Sequence, residues 1–268
     1  MARKYWGLRE SPFREALDWR RFYPSPMHEE ALARLEFLLT DRRRLGLLLG
    51  APGCGKSLVL EVYARRLRRE GAQVAHLNAA GIDLREFLWL LAAELGINPD
   101  RSDDVFRLWR GVLDRLVENR YQQLDTVMLL DDADCATPQV LDHLSRLAQL
   151  DESAARLTIV LAATGFPSVR LPQRLVELAE LRCDLDPWEP ADTVGHVTMA
   201  LDQAGSSKPI FTDEAIEHLH DLSGGVPRHV NRLANLALLA GAGRKLTQID
   251  VETVESAYHE LGVVDAVA

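Results

Sequence analysis

Between residues 29 and 39 apolar side chains recur at Leu32, Leu35, Leu38 and Leu39, the spacing of a helix that buries one face. A short apolar run from Leu45 to Leu49 reads as a strand, and an alternation of strands and helices starts there. The pattern predicts a helix from Lys56 to about Arg69 and a strand from Gln73 to Leu77. A helix from Leu84 through Phe87, Leu88, Leu91 and Leu95 then ends at a capping Gly96. A helix across Val105 to Val117, a strand from Val127 to Leu130, and a helix with Thr137 as N-cap and Pro138 in its first turn follow. Strands from Leu157 to Ala162 and from Leu181 to Leu185 bring the expected total to five. Unbroken apolar runs such as Thr158 to Ala163 fit parallel strands covered on both faces by helices.

Beyond Pro187 only helical periodicity remains, over roughly Ala191 to Ala204, Asp213 to Leu222, Pro227 to Ala242 and Gln248 to Leu261, with Thr247 and Asp250 as a capping pair. The aromatic- and Pro-rich stretch from Tyr5 to Pro26 has no clean period and reads as an ordered linker lying on the domain that follows it. The expected organisation is a linker over 1–27, an α/β domain over 28–187 with a parallel sheet sandwiched by helices, and an all-helical domain over 188–268. No internal repeat or low-complexity tract interrupts it.

A chain of 268 residues, 47% hydrophobic and 26% charged, has the make-up of an ordinary globular protein with a substantial core. No apolar run approaches the roughly 18 to 20 residues that span a bilayer. The start, Met1-Ala-Arg-Lys, lacks the apolar stretch of a signal peptide, so a cytoplasmic protein without a membrane span is expected. Cys54, Cys135 and Cys183 are far apart without metal-ligand spacing, and each reads as a small packing residue. The net charge of −9 disfavours broad attraction to nucleic acid. Its distribution is uneven: residues 1–70 hold fifteen Lys or Arg against nine Asp or Glu, leaving −15 on the remainder. A local contact with a polyanion therefore stays open.

Gly50, Ala51, Pro52, Gly53, Cys54, Gly55, Lys56 and Ser57 match G-x-x-x-x-G-K-[ST], the phosphate-binding P-loop or Walker A motif, between a predicted strand and a predicted helix. Its glycines permit backbone conformations that aim N–H groups at phosphate oxygens, and the following helix presents its positive end to the same anion. ATP and Mg²⁺ are the expected cofactors: Lys56 would bind the β and γ phosphates, and Ser57 would ligate the metal. Val127 to Asp132 reads as the matching Walker B strand. Asp131 at its carboxyl end would reach the magnesium shell, and Asp132 would polarise the attacking water.

With Gly225-Val-Pro-Arg228 at a helix start, these pieces resemble AAA+ ATPases, whose second sensor is a Gly-x-Pro-Arg element. The likeness narrows at Tyr5 to Phe13, Tyr23 to Leu32, Gln173-Arg-Leu175 and Gly225 to Leu233, which look like the ATPase module of the secretion-pathway A type. The resemblance implies that the helical domain is a lid, that Arg228 contacts the γ-phosphate, and that Thr164 is the first sensor. It implies an arginine reaching a neighbouring subunit's nucleotide, Arg174 or its rival Arg182. His28 either lines the adenine pocket or is a surface residue at a helix start. Where such proteins usually carry Glu, this chain has Asp132, one methylene shorter, which implies slow turnover. They also continue into a membrane span and a cell-wall-binding region not seen in this sequence.

The expectation is an ATPase that assembles with ATP into a homo-oligomer and acts as a switch on a protein partner. Two other readings stay open: an ATP-dependent DNA-binding regulator of the transposition or replication-initiation type, and an ATP-binding scaffold with little turnover. DNA is not favoured. The basic runs Arg42 to Arg44 and Arg65 to Arg69 lie near predicted helix C-termini, where cations offset the helix dipole.

Overall fold

The computed structural model describes residues 2–14, 16–151, 156–165 and 170–265. The chain divides into two compact units, one of Pro26–Pro52 with Lys56–Leu185, the other of Met1–Ser25, Gly53–Gly55 and Asp186–Ala268.

The first unit runs α2 (Pro26–Thr40), β1 (Leu45–Gly50), α3 (Lys56–Arg69), β2 (Gln73–Asn78), α4 (Leu84–Glu94), α5 (Val105–Tyr121), β3 (Thr126–Asp131), α6 (Pro138–Ala148), β4 (Leu157–Ala163), α7 (Gln173–Leu178) and β5 (Leu181–Leu185). The five strands form one parallel sheet in the order β2-β3-β4-β1-β5. β1, β3 and β4 are buried along their whole length, as expected of central strands covered on both faces. Leu47, Leu49, Leu130, Ile159 and Leu161 meet Phe87, Leu91 and Leu144 from the helices in one core.

Local chemistry sets the helix ends. Asp83 caps α4 by accepting from the Glu86 N–H, and Asp104 caps α5 by accepting from the Arg107 N–H, both at 2.8 Å. Gly96 follows α4 with φ 73°, as a terminating glycine should. Thr137 is the N-cap of α6, although its hydroxyl makes no bond there. α5 runs one turn past the expected end at Val117, because Leu116 and Asn119 remain buried.

The second unit comprises α1 (Ala2–Tyr5), α8 (Pro190–Gln203), α9 (Asp213–Ser223), α10 (Pro227–Arg244) and α11 (Val251–Asp265). The α11 start corrects the expected pairing of Thr247 with Asp250. Asp250 instead accepts from the Thr253 N–H at 3.0 Å and the Thr253 hydroxyl at 2.7 Å. Residues 266–268 of the expected helical domain lie outside the described residues.

The amino-terminal segment belongs to this helical unit rather than to the domain that follows it in sequence. Leu8 and Phe13 are buried with Val197, Leu219, Val230 and Val254. The Trp6 indole donates to the Leu238 carbonyl at 2.9 Å, and the Arg9 N–H to the Ala204 carbonyl at 2.8 Å. Tyr23 packs edge-on against Trp188 and His196, and a side chain at Gly195 would run into its hydroxyl. Such contacts join residues distant in sequence, so no local period announces them. Among the described residues no helix is long and apolar enough to cross a membrane.

Candidate functional site

The site begins where β1 ends. Gly50 closes the strand so near its neighbour that an added Cβ would lie 2.6 Å from the Leu185 carbonyl oxygen. Gly53 and Gly55 then adopt φ of 93° and 97°, the left-handed range that suits glycine. The loop turns directly into α3, so the first free N–H groups of that helix lie at the loop. Lys56 is buried to 9% exposure, and its ammonium donates to the Gly50 carbonyl at 2.8 Å and the Ala51 carbonyl at 3.2 Å. A buried cation is thereby held at the loop on neutral acceptors, with no ion-pair partner among the described residues. Cys54 is fully buried, whereas Ser57 is half-buried in the first turn of the helix.

Sheet register brings the other candidates to the same edge. Leu49 pairs with Ala163 at the end of β4, Gly50 with Leu185, and Asn78 with Asp131. With strands about 4.8 Å apart, β3 is two places from β1 and its end lies roughly 10 Å from the loop. Asp131 is only 7% exposed and accepts from the Asp132 N–H at 3.1 Å. Asp132 takes a left-handed backbone, φ 49°, uncommon for a residue other than glycine. The strand thus ends in a sharp turn at Asp132.

Two contacts at this edge escaped the sequence reading. The Asn78 Nδ2 donates to Asp132 Oδ2 at 2.8 Å, while Asn78 Oδ1 accepts from the Ala80 N–H at 2.8 Å, which fixes the amide's orientation. Asp134, in the turn after β3, accepts from the Thr164 N–H at 3.1 Å and ties that residue to the acidic turn. A polar residue at the end of each strand was the available signal, but only the pairing of β2 with β3 makes Asn78 and Asp132 neighbours.

The remaining candidates divide. His28 is buried to 4% exposure in the first turn of α2, which removes the surface reading. Arg174 is exposed on α7 and donates to the Gln149 side chain at 2.6 Å. Arg182 pairs with Asp184 at 2.7 Å, so part of its charge is already used. Arg228 stands exposed at the second position of α10, after Pro227, and within its own unit its N–H donates to the Gly53 carbonyl at 3.3 Å. Cys54 and Cys183 are packing residues, burial pushing the Cys183 thiol up to about 11. Cys135 is exposed, against expectation, because the turn after Asp132 carries it outward. His76, two residues before Asn78, is held below its ordinary value by burial, with Glu61 opposing.

Strand order, P-loop and acidic strand end together define the AAA+ fold, and an AAA domain matches residues 39–167. The chain resembles AAA+ ATPases, and in particular General secretion pathway protein A of Aeromonas hydrophila, 30% identical over 99% of this chain. It spans about half, 49%, of that relative's length. Replication factor C small subunit of Staphylothermus marinus is 25% identical over 88% of the chain and 61% of its own length. Among solved structures, Cdc6p of Pyrobaculum aerophilum superposes with a TM-score of 0.75 at 20% identity, covering 93% of this chain and 70% of that one. Aeropyrum pernix ORC1 in complex with DNA gives 0.71 at 18% identity, covering 95% and 69%. At such identities the structural likeness speaks for the fold alone.

Proposed function

We propose that the chain binds ATP with Mg²⁺ at Gly50 to Ser57 and hydrolyses it slowly, acting as a nucleotide-driven switch. The observation that carries this is the shared carboxyl-terminal edge of the sheet, where the buried Lys56 ammonium follows β1 and the Asp131 and Asp132 carboxylates stand at the end of β3, two places away. The Ser57 hydroxyl and Asp131 carboxylate are hard oxygen donors in the small number that Mg²⁺ takes from proteins when phosphates and water complete its shell. The ion, when bound, supplies positive charge to the phosphate oxygens.

The backbone N–H groups of the loop and Lys56 orient the phosphates. Thr164 and Asp132 orient a water, and Arg228 answers to the γ-phosphate. Arg174, whose only described side-chain partner is neutral, is the better candidate than Arg182 to reach a neighbouring copy. His28 contributes to the adenine pocket. Assembly with ATP into a homo-oligomer, action on a protein partner, a cytoplasmic location and a link to secretion machinery through the Aeromonas relative belong to the same proposal.

DNA binding is the weaker reading. Arg65 pairs with Glu61, Arg66 with Glu29 and Glu36, and Arg68 with Glu94, so most of that basic run faces carboxylates. Phosphate release by the purified chain, compared with Lys56→Ala and Asp131→Ala, tests the main proposal. Equal release in all three sinks it, and particle size with and without ATP tests assembly.

A further inference from the structure

A second concave site lies at the opposite, amino-terminal edge of the same sheet. A cavity of about 510 Å³ within the α/β unit is lined by Arg42, Arg44, Arg120 and Arg156, together with Tyr121 and Asp125. Among the described residues the lining holds four arginines and one carboxylate, in a chain of net charge −9. β1, with six residues at about 3.3 Å each, puts roughly 20 Å between this cavity and the P-loop.

The arginines fall into two pairs. Arg44 donates to the Leu157 carbonyl at 2.9 Å and the Leu150 carbonyl at 3.1 Å, and Arg156 to the Gln123 carbonyl at 2.7 Å while lying 3.8 Å from Asp125. These two brace the wall. Arg42 and Arg120 have no carboxylate within ion-pair distance among the described residues. Arg42 also holds a left-handed backbone, φ 55°, where α2 ends, and Gln123 does the same, φ 58°, where α5 ends. Glycine would fit either position at less cost.

Offsetting the helix dipoles explains one cation at each helix end. It does not explain why four arginines converge on one concavity of ligand size. Guanidinium groups in a cleft of one sign concentrate anions and match phosphate oxygens in geometry. The volume lies within the roughly 300 to 1,000 Å³ of small-molecule sites. Tyr121, 77% exposed, adds a flat ring on which a planar group stacks. A long polynucleotide would need a continuing basic track, whereas Arg43 beside this cavity is already paired with Asp41 and Glu180. We propose that this cavity is a second anion site for a nucleotide-sized phosphate ester, with its phosphates on Arg42 and Arg120 and its ring on Tyr121.

Calorimetric titration of the full chain with ADP, and separately with inorganic tripolyphosphate, tests the assignment. Wild type should take two equivalents of ADP, and Lys56→Ala and the double variant Arg42→Ala/Arg120→Ala one each. In the Lys56→Ala background the double variant should weaken tripolyphosphate by about ten-fold or more. Tyr121→Ala should weaken ADP there and leave tripolyphosphate unchanged. If Lys56→Ala removes no equivalent while the arginine pair does, the P-loop reading fails and this one stands. A single equivalent in wild type that Lys56→Ala abolishes, or binding in the Lys56→Ala background indifferent to the arginine pair, overturns the site. Equal sensitivity of both ligands to Tyr121→Ala overturns the ring assignment, and a short oligonucleotide that displaces ADP overturns the small-ligand class. Thermal melting of Arg42→Lys/Arg120→Lys, which should fold and keep most binding, separates lost charge from lost structure.

Discussion

Across the carboxyl ends of β2 and β3, the Asn78 side-chain amide donates to the Asp132 carboxylate at 2.8 Å. The contact occupies one oxygen of the group proposed to orient water, and the Ala80 N–H prevents the amide from turning away. Asn78→Ala should therefore free the carboxylate and raise basal phosphate release about five-fold, close to 1 kcal/mol of barrier, with nucleotide affinity unchanged. A steady-state ATPase assay paired with a nucleotide titration reads both quantities, and a fall in release would contradict the argument.

Asp132 is one methylene shorter than Glu and is turned by its left-handed backbone. If reach limits turnover, Asp132→Glu should raise kcat about ten-fold, within the range a positioned general base supplies, while Asp132→Ala abolishes the remaining rate. Equal kcat for all three chains would remove Asp132 from the chemistry.

Gly50 stands where a Cβ would meet the Leu185 carbonyl at 2.6 Å. That atom is backbone in the neighbouring strand, so it cannot rotate aside. Gly50→Ala should cost about 1 to 3 kcal/mol in chemical denaturation, with loss of nucleotide binding as the loop shifts.

His76 is held below its ordinary value of about 6.5, chiefly by burial. The folded chain therefore takes up the proton later than the unfolded chain as pH falls. The stability that the neutral ring contributes is present above about pH 6.5 and is lost progressively below it. Denaturation midpoints at pH 7.5 and 5.5 should differ less for His76→Gln than for wild type.

Phe13 is 2% exposed among the C-terminal helices. Phe13→Ala should cost about 3 to 5 kcal/mol, a substantial lowering of the melting temperature on the scale of burying a whole aromatic ring.

Much of the α/β architecture was legible because its signals are local. The runs at Leu45 to Leu49 and Leu157 to Ala163 announce buried strands, and the P-loop pattern needs only eight consecutive residues. Asp131 followed from its place at a strand end. What was not legible depends on pairing at long range. Asn78 gains its contact from the sheet order, the arginine cavity from the meeting of two helix ends, and the home of Leu8 and Phe13 from helices near the other end of the chain. The αL residues Arg42 and Gln123 carry no sequence mark, since that conformation favours Gly, Asn or Asp.

The Trp6 indole and its acceptor at Leu238 are 232 residues apart. At a synthesis rate of about 5 to 20 residues per second, Trp6 waits roughly 10 to 50 s for that partner to be made. The intervening sheet has left the ribosome by then. The segment's aromatic side chains are a temporary burden during translation, and they ask either for a chaperone or for quick completion of the chain. Stalling after residue 185 should leave them uncovered, making truncated products of this gene prone to aggregate.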